Sequence, residues 1–158
     1  MSQPIATTDI QAYVVHHMEA VFETMLSLKA VQETAKPLEG DRITGSVGMA
    51  GEKVTGRVYL HLPAAFAKQA TAAMLGLSPE DITSNDEVND VTGEVTNMLA
   101  GGLKSWFCDR GANCALTTPA VIRGTSFAVA AKPGIEHILI GFECSQYRGQ
   151  IEVHVKIN

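Results

Sequence analysis

Charge is scarce in this chain: Asp, Glu, Lys and Arg make up only 18% of its 158 residues, and the formal net charge is -5 without any long basic run. A nucleic-acid binder needs such a run to meet the phosphate backbone, so DNA and RNA are excluded as partners. No apolar stretch approaches the roughly 20 residues that span a bilayer. The first residues, MSQPIATTD, show no basic start, apolar middle or cleavage site. A cytoplasmic protein with no membrane partner is expected. Cysteine is sparse as well: Cys108, Cys114 and Cys144 are odd in number and lack CxxC or Cys/His ligand spacing, which argues against a disulfide framework and a structural zinc site. Small buried hydrophobes are their expected role. Also missing are a GxSxG elbow, a P-loop, HExxH and a GxGxxG following a strand.

What the chain has is apolar periodicity. Hydrophobic residues make up 46%, enough for a sizeable core in a single domain over residues 1–158. Ile10, Tyr13, Val14, Met18, Val21, Met25 and Leu28 recur at helical steps, predicting a helix over Asp9 to Leu28 with Thr8 or Asp9 as N-cap. Three strands are expected next, over Ala30 to Glu39, Arg42 to Met49 and Lys53 to Leu62, the last two forming a hairpin. Pro63 suits the first turn of a short second helix through Phe66, Ala70, Ala73, Met74 and Leu77. Ser84 and Glu87 then form a capping-box signature that opens a long helix reaching Asp109. Beyond it, Asn113 to Thr118, Thr125 to Ala131, Glu136 to Ser145 and Gln150 to Ile157 read as strands, with turns at Lys132 to Gly134 and Tyr147 to Gly149. Helix, strands and short helix are followed by helix and strands again. This order predicts an α+β domain of two layers, a largely antiparallel sheet covered on one face by long helices.

The long helix carries the most informative pattern. At 100° per residue, Asp90, Glu94 and Asn97 fall at about 0°, 40° and 340°, a narrow polar stripe opposite the apolar arc of Val88, Val91, Val95, Met98, Leu99, Leu103 and Trp106. Most such stripes are simply solvated. Here, however, Asn97 is a poor helix former at mid-helix, and Gly93, Ala100 and Gly101 flank it. Each glycine costs roughly 0.8 to 1 kcal/mol relative to alanine, so close approach of another molecule is the expected reason for them.

Other candidates are weaker. His16 and His17 point about 100° apart and cannot hold a metal from one helix face. His61, His137 and His154 lie in predicted strands and could meet only through the fold. An acid and an amide without base, nucleophile or metal ligand suit phosphoryl transfer best, because its loose transition state needs a positioned water more than proton abstraction. Phosphate-binding groups would then come from a partner.

These residues resemble the CheX, CheC and FliY family of chemotaxis phosphatases, whose motif is an Asp or Ser, a Glu four residues on, an Asn three after that, and a later proline. Asp90, Glu94, Asn97 and Pro119 stand in those positions, the spacing to Pro119 being slightly shorter than the pattern. The resemblance implies a CheX/CheC-like fold with a pseudo-two-fold repeat. It also implies hydrolysis of the aspartyl phosphate of a CheY-like receiver: Asn97 orients the attacking water, Glu94 engages the receiver's lysine, and Asp90, Gly93 and Gly101 form the docking surface. Mg²⁺ would belong to the receiver, leaving this chain with no cofactor of its own. On the first helix, Glu19 and Glu23 are followed at motif spacing by Phe22 and Leu26 instead of Asn. A single site and a CheX-like homodimer are therefore implied. The alternatives are a non-catalytic module docking on a receiver or flagellar-motor component and, more weakly, a small-molecule hydrolase built on His and Cys.

Overall fold

A computed structural model of the chain describes residues 4–158. Helix α1 (Thr7–Leu26) is followed by strands β1 (Ala30–Glu33), β2 (Asp41–Ala50) and β3 (Val54–Pro63), and then by helix α2 (Ala64–Leu75). A 3-10 turn at Pro79–Asp81 leads into helix α3 (Asn85–Asp109) and strands β4 (Ala115–Leu116), β5 (Ala120–Thr125), β6 (Glu136–Cys144) and β7 (Tyr147–Ile157). The strands form one sheet in the order β1-β6-β7-β3-β2, with β4 and β5 both paired to the far side of β2. Every pairing is antiparallel, as tight hairpin connections favour. Exchanging β1, β2 and β3 with β5, β6 and β7 maps the order β1-β6-β7-β3-β2-β5 onto itself. No helix among the described residues is long and apolar enough to cross a membrane.

Period-two alternation gives the sheet two different faces. Ile151, Val153 and Val155 of β7 and Ile138, Ile140 and Phe142 of β6 enter the core under the helices. There the Phe142 ring meets Phe22 of α1 and Phe66 of α2 edge-on at 5.1 and 5.8 Å between centroids, a favoured aromatic geometry. Gln150, Glu152 and His154, alternating with the core residues of β7, lie on the reverse face.

Helix α3 seats on β2 through one close contact. A β-carbon at Gly45 would overlap Thr96 Oγ1 and lie 2.9 Å from Thr96 Cβ and 3.1 Å from the Thr92 carbonyl oxygen. The absence of that carbon lets the helix lie against the strand. Thr96 Oγ1 donates to the Thr92 carbonyl at 2.7 Å, so its polar atom is satisfied inside the seam.

Several expectations shift. α1 begins at Thr7 with Ala6 as N-cap and no side-chain cap bond, so neither Thr8 nor Asp9 caps it. Strand β1 stops at Glu33 rather than Glu39, because the chain then turns over β6, the Ala35 backbone occupying the space where Gly141 would carry a side chain. The strand expected over Thr125 to Ala131 lies instead at Ala120–Thr125. Ser126, at φ 55°, breaks the extended path, and Phe127 folds onto the reverse face, its ring 3.9 Å from the Arg42 guanidinium carbon. The last hairpin turns at Ser145, φ 58°, with Cys144 paired to Tyr147. Gly149, expected in the turn, sits in β7, where a β-carbon would meet Phe142 Cζ at 2.6 Å.

Gly45→Ala should therefore destabilise the fold by about 1–3 kcal/mol through overpacking. Urea denaturation checks this, and a midpoint no lower than that of wild type would contradict it.

Candidate functional site

The start of α3 is fixed by Ser84, whose side-chain oxygen accepts from the Asp86 amide at 3.1 Å, while Asp86 and Glu87 in the first turn suit its positive end. Arg123 of β5 ties the same end to the sheet edge: its Nε donates to Asn89 Oδ1 at 2.8 Å and a terminal nitrogen donates to the Asn85 carbonyl at 3.2 Å. The helix is packed by β2, α1 and α2 together. It therefore presents its outer stripe on a well-held backbone.

Asp90 and Glu94 are exposed on that stripe, and Asn97 is half-buried one turn beyond Glu94. Asn89, Asp90, Gly93 and Glu94 line a shallow cavity of about 370 Å³ whose other wall is Pro119 and Val121. The structure thus brings Pro119 beside the acidic part of the stripe. Asn97 lies outside that lining. Sequence reasoning missed Asn89, Val121 and Arg123, because their contact depends on β5, which was expected further along the chain.

The flanking small residues divide. Gly93 was expected on the open side but is buried: its missing β-carbon faces Pro119 Cβ at 3.5 Å and Val121 Cγ2 at 3.7 Å. Ala100 is likewise fully buried. The reason is that α3 is covered on three sides, so its buried arc, which includes Thr92 and Thr96, is wider than its apolar residues alone indicate. Gly101 alone matches the expectation of open space, with nothing within 4 Å of its β-carbon position. Gly102 answers an internal demand. A β-carbon there would overlap the His17 imidazole, whose Nε2 donates to the Met98 carbonyl at 3.0 Å.

On α1, Phe22 and Leu26, which occupy the Asn position relative to Glu19 and Glu23, are core residues. Cys114 and Cys144 are buried thiols whose pKa burial raises, the reverse of nucleophile activation. The three strand histidines do meet, around Glu152 on the reverse face of the sheet.

Known structures place this architecture among CheX-like and CheC-like proteins. The chain is 27% identical to the chemotaxis protein CheX from Vibrio vulnificus, with a TM-score of 0.81 over 97% of this chain and 100% of that one. It is 28% identical to a CheC-like chemotactic protein from Shewanella oneidensis, with a TM-score of 0.76 over 96% and 100% of the two chains. The same fold, at 19% identity and a TM-score of 0.78, occurs in the CheX of a CheX-CheY-BeF3-Mg complex from Borrelia burgdorferi, covering 94% of this chain and 98% of that one. No curated protein matches the chain. Residues 43–143, well over half of the sequence, match the family described as chemotaxis phosphatase CheX. The chain belongs to that family.

The two neighbouring glycines make a paired test. Gly101→Ala should stabilise the chain by up to about 1 kcal/mol through helix propensity, whereas Gly102→Ala should destabilise it by displacing His17 from Met98. Thermal unfolding of the two variants checks the difference in sign.

Proposed function

We propose that this chain accelerates hydrolysis of the aspartyl phosphate on a CheY-like receiver, with Asn97 orienting the water and Glu94 docking against the receiver's active-site lysine. The observation that carries the proposal is the Glu94 and Asn97 pair, exposed and half-buried respectively one turn apart on a helix whose other sides are held by the sheet and two helices. The Asn97 amide can accept a hydrogen bond from water and donate one to a phosphoryl oxygen. Water attacks phosphorus, the bond from phosphorus to the aspartyl oxygen breaks, the carboxylate leaves, and inorganic phosphate is released. In this reading the receiver supplies Mg²⁺ and lysine, which neutralise the developing charge, and this chain supplies alignment. The Borrelia complex supports the choice of partner, since it holds a CheX of this fold with a CheY and Mg. Pairing of two copies through sheet edges belongs to the same reading. β1 ends the sheet on one side and β5 on the other, and Val31 and Ile122 on them are exposed.

Asn97→Ala should lower receiver dephosphorylation by about 100-fold while leaving stability within about 0.5 kcal/mol. The decay of phosphorylated receiver, followed with wild type and variant, checks this. A wild-type chain that binds the receiver without shortening its phosphate lifetime would instead support the non-catalytic docking module. Glu94→Ala should weaken binding to the phosphorylated receiver by about tenfold or more, and unchanged affinity in a titration would remove its docking role.

A further inference from the structure

On the sheet face turned away from α3, three histidines converge on one carboxylate. His61 Nε2 lies 2.8 Å from Glu152 Oε1, and His137 Nε2 and His154 Nε2 lie 2.8 and 2.7 Å from Glu152 Oε2. The antiparallel register brings this about: His137 of β6 is directly opposite His154 of β7, and Glu152 is two residues from His154 on the same face. β3 adds His61 from the other side, since Tyr59 pairs with Glu152.

The cluster is organised in depth. A carboxylate can only accept, so His61 Nε2 carries the proton and its Nδ1 accepts from the Thr44 hydroxyl at 2.8 Å. This fixes the Glu152 carboxylate from behind, as outer partners orient a ligand in metal sites. Tyr59 stacks on His61 and meets His154 edge-on. Arg57, paired in register with His154, is turned to Ser46 Oγ at 2.9 Å, and Arg42 is held by Phe127, so neither guanidinium is hydrogen-bonded to the carboxylate. Burial would raise the Glu152 carboxyl, but the hydrogen bonds from His61, His154 and His137 hold it at about 2.

We propose that His137, His154 and Glu152 form a binding site for a divalent transition metal ion of the zinc class. Their ligand atoms all lie within 4.8 Å of one another. Zinc bonds of about 2.0–2.2 Å place tetrahedral ligand atoms roughly 3.3–3.6 Å apart, so each imidazole withdraws by less than about 1 Å from Oε2 while the ligand atoms furthest apart close in from within 4.8 Å, with the imidazole protons shifted to Nδ1. Two imidazoles and one carboxylate favour zinc, cobalt or nickel over magnesium, which prefers an all-oxygen shell. Glu152 is 8% exposed and His137 44%, so the site is rooted in the sheet and open at its His137 edge, where water can complete the coordination.

The test uses the untagged full chain, freed of metal by chelator and titrated separately with Zn²⁺, Co²⁺ and Mg²⁺ by calorimetry and thermal unfolding. One Zn²⁺ per chain, a Tm that rises with Zn²⁺ concentration, visible Co²⁺ absorption and no response to Mg²⁺ are expected. His61→Ala should weaken Zn²⁺ binding about 10–100-fold and His137→Ala more. His16→Ala, an exposed histidine on α1, should leave it unchanged. His137 is half-exposed, so circular dichroism of His137→Ala should match wild type and locate the loss in the ligand. No saturable Zn²⁺ binding, or binding unaltered in His137→Ala, would overturn the proposal and leave a hydrogen-bonded network.

Discussion

The seat of α3 on β2 decides where everything else in the proposed site stands. At Gly45 the strand has no side chain, and Thr96 fills that space with its hydroxyl turned inward to the Thr92 carbonyl. A helix rotated by one residue, about 100°, would bury Glu94 or withdraw Asn97. The same seam sets the height of the helix above the sheet, which lets Pro119 and Val121 close over Gly93. Close packing has little tolerance for added volume, so a contact between small groups in the core fixes the direction of a polar stripe on the surface.

With that direction fixed, the composition of the stripe becomes informative. A carboxylate and an amide can orient and dock, but they carry no positive charge to neutralise a phosphoryl group. The proposed function assigns the missing charge to a receiver and gives α3 the part of a rigid insert. Rigidity is what such a part needs, because misplacement by about 1 Å can cost a hundredfold in rate. Ser84, Arg123 and the packing of α1 and α2 all act on α3 in that sense.

Much of the fold was legible because it is written locally. Apolar steps mark α1, Ser84 and the following acids mark the start of α3, and alternation marks β2, β3, β6 and β7. What failed depended on tertiary demands. β5 is displaced because Ser126 adopts a left-handed conformation and Phe127 is needed against Arg42. Gly149 reads as a turn residue but makes room for the Phe142 ring. Gly93 was placed correctly on the helix, yet its cover comes from Pro119 and Val121, in a segment whose path no local pattern reveals. The histidine cluster is the clearest case. His61, His137 and His154 have no motif spacing, and only the register of β3, β6 and β7 brings them to Glu152.

The sheet thus keeps its apolar core and the proposed receiver-facing helix on one side and its buried polar cluster on the other. Backbone amide shifts of the isotope-labelled chain, measured by NMR as a beryllofluoride-activated cognate receiver is added, test the central claim most directly. The account predicts perturbations concentrated on Asp90 to Gly101 and around Pro119, with His61, His137, Glu152 and His154 unaffected. Perturbations centred on the reverse face, or on α1 with the α3 stripe unmoved, would contradict it.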